Sequence, residues 1–164
     1  MLSLLSIRTR CLIRSCTGAC EAGWARRLGA RSNEESEVSS NRARVGILGC
    51  GRVSARYLEV FRDELTDVAD VVAVADKVGK KRDKLANALD AQAVQGIDDL
   101  VKAKPDIVCI LTESGNHAQH ALELLRAGIN IIVEKPIALR LDDAERLGEE
   151  ADKRGLICAE IKQN

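Results

Sequence analysis

"RVGILGCGRVSARYLEVF", residues 44–61, runs from an apolar segment through two glycines spaced one apart into a pattern that puts Val53, Tyr57 and Phe61 on one helical face. The fold turns on whether that glycine pair holds a phosphate or only reverses the chain. A lone G-x-G-x-x-G match says little, and here its third position is Ser54. The context adds more, because Asp76 closes the next apolar run, where an acid can accept a hydrogen bond from an adenosine ribose. Gly49 permits a tight turn. Gly51 lets the backbone approach a pyrophosphate lying on the amino-terminal dipole of a helix that begins near Arg52, and Ser54 is small enough to let helix pack on strand.

Outward from this stretch, short β-branched runs alternate with helical patterns. Strands are expected at 45–48, 70–76, 91–94, 106–112, 129–135 and 156–163, with helices at 52–65, 80–89, 97–103, 116–128 and 141–155 between them. Apolar runs buried on both faces and separated by single helices mean a parallel sheet covered on each side. Six such strands fit an α/β, doubly wound dinucleotide-binding (Rossmann) fold, for which right-handed crossovers give the order 3-2-1-4-5-6.

The composition excludes several partners. Lys plus Arg and Asp plus Glu each number 25, so no net field favours nucleic acid or an anionic membrane. Trp24, Tyr57 and Phe61 are the only aromatic residues, too few for base-stacking or sugar-stacking platforms. The six cysteines lack C-x-x-C spacing, so no metal site is expected, and their scatter suits reduced thiols in a cytosol-like, cytoplasmic setting. Residues 1–43 stand apart from the rest. Arginines at 8, 10, 14, 26, 27 and 31 face one acid, Glu21, before Ser32, which suits either a mitochondrial-type transit peptide or an unstructured extension. Its apolar runs are too short for a membrane span, and the ordered domain is expected over 44–164.

Asp76 also bears on the cofactor. A carboxylate there accepts from a ribose diol and repels a 2′-phosphate, which favours NAD over NADP. The basic run Lys77, Lys80, Lys81 and Arg82 pulls the other way, since it tolerates a phosphate. A methyltransferase would show the same glycine turn and acid, so the discriminating feature lies further on. It is "INIIVEKPIAL", which sets Glu134, Lys135 and Pro136 at the carboxyl end of a strand, where open α/β sheets place their ligand crevice.

With the glycine turn, "LTESGNHAQHALELLRAG" and this E-K-P, residues 44–164 resemble the nucleotide-binding domain of the glucose-fructose oxidoreductase, inositol dehydrogenase and MocA-like family. The closing "AEIKQN" looks most like members acting on nucleotide sugars, the UDP-N-acetylglucosamine or glucosaminuronate 3-dehydrogenases. The resemblance implies a dinucleotide held by Gly49, Cys50, Gly51, Arg52 and Val53, by Asp76, and by Thr112, Asn116, His117, Glu134 and Lys135, with Lys135 catalytic. Glu113 stands where the family commonly has proline, and His120 is expected in solvent. The resemblance also implies a nucleotide sugar as a second small-molecule partner and leaves room for an oligomer in a longer form.

Lys135 can be argued on chemistry as well. Oxidising a secondary alcohol sends a hydride from carbon and a proton from oxygen, and an ammonium near the acceptor can relay the proton or stabilise a developing alkoxide. Burial and a positive nicotinamide would both bring lysine toward neutral titration, whereas a direct pair with Glu134 would oppose that. In the family a substrate domain follows the nucleotide-binding domain. The sequence in hand therefore leaves two readings, part of a sugar or polyol dehydrogenase lacking its turnover half or a freestanding, non-catalytic dinucleotide-binding module.

Overall fold

The computed structural model describes residues 42–162. Their elements run β1 (Ala43–Leu48), α1 (Ser54–Asp63), β2 (Ala69–Ala75), α2 (Gly79–Ala88), β3 (Gln92–Val94), α3 (Ile97–Lys102), β4 (Ile107–Ile110), α4 (His117–Arg126), β5 (Asn130–Val133), α5 (Leu141–Arg154) and β6 (Cys158–Glu160). A single 3-10 turn, Ser114–Asn116, leads into α4. The six strands form one sheet in the order β3-β2-β1-β4-β5-β6, and every pairing is parallel, as expected from the alternation.

Period-2 alternation sorts the strand residues into two cores. Val108, Ile110, Ile131 and Val133 face Leu100, Leu124, Leu125 and Leu147 from α3, α4 and α5. Val45, Ile47 and Cys109 face the other way, onto Phe61 of α1 and Leu85 and Ala86 of α2. β2 breaks the alternation. Val45 pairs with Val71 but Gly46 pairs with Ala73, so Val72 is an extra residue and both Val72 and Ala73 lie on the α3–α5 side. Gly46 has no room for a side chain there, since a Cβ would come within 3.0 Å of Val108 Cγ2 and 3.2 Å of Leu100 Cδ1.

Three shifts from the expected element boundaries bear on the site or the end of the sheet. α1 starts at Ser54 rather than Arg52, because Gly51–Val53 form the turn and the Ser54 hydroxyl donates back to the Gly51 carbonyl at 2.7 Å. β6 holds only three residues of the expected run, and β5 ends at Val133, so Glu134 and Lys135 lie in the loop beyond it. Of the leader expected over 1–43, residues 1–41 lie outside the described residues, and Ala43 already belongs to β1. Among the described residues no helix is long and apolar enough to cross a membrane.

Candidate cofactor site at the switch point

Because the sheet order reverses between β1 and β4, the chain leaves these two neighbouring strands toward opposite faces and opens a crevice at their carboxyl ends. Gly49 sits at that point with φ +103°, and its N–H donates to the Ala75 carbonyl at 2.8 Å. A Cβ here would lie 2.8 Å from the Leu111 carbonyl and from the Thr112 nitrogen, so only glycine lets the loops after β1 and β4 touch. Gly51 differs. Its nearest neighbour to a built Cβ is the Leu111 carbonyl oxygen at 3.9 Å, so the protein itself does not require glycine at this position.

Asp76 ties the turn to the end of β2. Its Oδ2 accepts the Cys50 N–H and its Oδ1 accepts the Val78 N–H, both at 2.6 Å. Each oxygen keeps a further lone pair for an outside donor. α1 begins without a side-chain cap and without an acid in its first turn. The N–H groups of Gly51, Arg52 and Val53 donate to no acceptor among the described residues, which leaves donors and a positive helix end facing the crevice.

The crevice is a cleft of about 870 Å³, and Gly49, Gly51, Arg52, Val53, Asp76, Thr112 and Asn116 all line it. Cys50, expected at the cofactor, does not line the cleft, and its N–H is taken up by Asp76. The Cys50 side chain is buried on the α1–α2 side, where desolvation and the Asp76 charge push the thiol up to about 12. His117 also lies away from the cleft: it is 1% exposed, with Nδ1 2.7 Å from the Pro136 carbonyl oxygen and Nε2 2.9 Å from that of Thr112. Its ring therefore clasps the loop after β4 to the loop after β5.

Glu134 and Lys135 separate in an informative way. Glu134 is 6% exposed and accepts the Tyr57 hydroxyl at 3.1 Å and the Lys135 N–H at 3.2 Å, so the carboxylate pairs with α1 and with backbone. Burial above all, with Cys109 and Glu134 adding to it, raises the Tyr57 pKa and keeps the hydroxyl a donor. Lys135 is exposed, which corrects the expectation that burial would help tune it.

Sequence reasoning missed one arm of the cleft. Gln95, Asp98, Asp99, His120 and Glu123 line it where the start of α3 faces α4. The available signal was helical spacing, since Glu123 falls three residues after His120 and shares its side of α4. His120 was expected in solvent; instead it is half-buried, with Nδ1 3.1 Å from Thr112 Oγ1. Burial lowers its pKa from 6.5, outweighing the charge of Glu123. The unfolded chain then takes up the proton first as pH falls, so stability from this site is present above about 6.5 and declines below it. Urea unfolding between pH 7.5 and 5.5 should show a smaller loss of stability for His120→Gln than for the wild type. Equal slopes would remove His120 as the cause.

A parallel, doubly wound sheet with a glycine turn and an acid at its switch point defines a nucleotide-binding domain. The chain belongs to the Gfo/Idh/MocA oxidoreductase family, NAD-binding Rossmann fold, whose sequence model matches residues 43–161. It is 29% identical to inositol 2-dehydrogenase 3 of Saccharopolyspora erythraea over 68% of this chain and 33% of that one. The WlbA dehydrogenase of Chromobacterium violaceum, solved with NADH and UDP-GlcNAcA, superposes with a TM-score of 0.73 at 26% identity, covering 77% of this chain and 37% of that chain. The 3-ketoreductase KijD10 of Actinomadura kijaniata, solved with NADP, superposes with a TM-score of 0.68 at 29% identity over 73% and 38%. The chain thus spans about a third of the length of the curated relatives it matches.

Proposed function

We propose that residues 42–162 hold NAD(H) as the nucleotide-binding part of an oxidoreductase acting on a secondary alcohol of a sugar or polyol. The observation that carries this reading is the Gly49–Gly51 turn at the switch point, with unsatisfied N–H groups at an uncapped helix start and Asp76 beside it. The residues fit the dinucleotide: the turn and α1 would hold the pyrophosphate, and Asp76 the adenosine ribose. When bound, the nicotinamide supplies the hydride acceptor or donor. Thr112 and Asn116 would line the site, and the exposed Lys135 ammonium would carry the proton or stabilise the alkoxide at its Nζ. A nucleotide sugar is the substrate class we favour, on the likeness to WlbA. A freestanding module that binds the dinucleotide without turnover uses the same residues, and hydride transfer to a panel of sugars and inositols separates the two.

We infer a preference for NAD over NADP from Asp76, whose carboxylate would accept from a ribose diol and repel a 2′-phosphate. Arg82 is drawn off by Asp83 at 2.8 Å, while Lys77 and Lys81 line the cleft beside Asp76. One carboxylate at the ribose therefore competes with two flexible ammonium groups. In a fluorescence titration NADH should bind more tightly than NADPH. Asp76→Ala should weaken NADH by about tenfold or more, in line with the loss of a charge-assisted hydrogen bond, and narrow the discrimination. Because Asp76 also holds the Cys50 and Val78 amides, Asp76→Asn is the companion variant: it keeps one of the two acceptor oxygens and removes the charge. Preference for NADPH in the wild type would refute the role given to Asp76.

A further inference from the structure

We propose that Glu160, at the end of β6, is a positioning residue for Lys135, an inference that rests on the dinucleotide reading above. β6 lies parallel to β5 with Glu160 opposite Val133, and the Ile161 N–H donates to the Val133 carbonyl at 2.9 Å. Glu160 thus stands where the chain leaves β5 for the loop Glu134–Ile137. Its Oε1 accepts the Ile137 N–H at 2.8 Å. Among the described residues Glu160 makes no ion pair.

The loop needs this contact. Pro136 has no N–H to offer, and the Lys135 N–H reaches only the neighbouring Glu134 carboxylate at 3.2 Å. Ile137 supplies the next donor, and its apolar side chain packs on the α3–α5 core. Lys135 is therefore suspended between two anchored points. Glu134 is held by Tyr57 from α1, and Pro136–Ile137 by His117 from α4 and Glu160 from β6. An exposed lysine has many rotamers, so fixing its backbone on both sides narrows the region its ammonium samples.

Oxidised and reduced nicotinamide differ by one positive charge on the ring, so an ammonium held near it weakens NAD⁺ relative to NADH. The ratio of the two dissociation constants reads Lys135 placement without turnover. Lys135→Met should lower the NAD⁺/NADH Kd ratio by about three- to tenfold. Glu160→Ala should lower it toward the Lys135→Met value, with NADH affinity changed less than twofold. Glu160→Gln, which still offers an oxygen to the Ile137 N–H, should keep the wild-type ratio.

Exchange of the Ile137 amide proton gives a reading that needs no ligand: slow in the wild type and Glu160→Gln, fast in Glu160→Ala. If Glu160→Ala does not fold, Glu160→Asp takes its place, being one methylene too short to make the bond. A wild-type ratio in the Ala or Asp variant, or a loss in Glu160→Gln as large as in Glu160→Ala, overturns the proposal. So does a ratio indifferent to Lys135→Met. A wild type that binds no NADH overturns the dinucleotide reading itself, and the positioning role with it.

Discussion

Gly51→Val should fold as the wild type does and lose NADH binding by at least about 100-fold, close to 2.7 kcal/mol. The fold is spared because no atom lies nearer than 3.9 Å to a Cβ built at Gly51, and its φ is not left-handed. Binding is lost because the added side chain fills the space between the turn and the start of α1, where the pyrophosphate must approach the backbone. Circular dichroism and thermal unfolding check the first half, and titration of the reduced dinucleotide's fluorescence checks the second. Wild-type affinity in the folded variant would make the glycine turn a structural corner with no ligand.

Gly49→Val should do the opposite and strike the fold. At φ +103° a β-branched residue carries backbone strain of about 1–3 kcal/mol. Its Cβ would also meet the Leu111 carbonyl and the Thr112 nitrogen at 2.8 Å, so the loops after β1 and β4 must part, which costs roughly another 1–3 kcal/mol as overpacking. Against a domain stability of about 5–15 kcal/mol the sum is a large fraction, and Tm should fall by about 10–20 °C. A Tm within about 2 °C of the wild type would mean the switch point does not need the close approach described here. Two glycines one residue apart thus predict separable losses, one of ligand and one of structure.

The sheet order and the glycine turn were legible because they rest on local signals: β-branched runs of strand length, single helices between them, and an acid at the end of the second strand. β2 was legible as a strand but not in its facing. Read with period two, "DVVAVAD" puts Val71 and Ala73 on one side, whereas the extra residue at Val72 sends Val71 to the α1–α2 core and Ala73 to the other. Nothing in the composition marks that bulge, since it is set by how β1 pairs. The same limit applied at the site. His117 could be placed at the head of a helix, but that its ring joins two carbonyl oxygens from separate loops depends on contacts 5 and 19 residues apart in sequence. The pairing of Tyr57 with Glu134 spans 77 residues, and no periodicity connects them.

Asp76 gives the domain a particular evolvability. One side chain both closes the glycine turn, through the Cys50 and Val78 amides, and faces the part of the cleft that would read the ribose. A lineage or an engineer seeking the phosphorylated cofactor by replacing Asp76 would loosen the turn in the same step. The route with least collateral damage runs through Lys77 and Lys81, whose exposed side chains line the same cleft and hold no backbone group in place. Changes of cofactor preference in this chain should therefore accumulate beside the acid before they reach it.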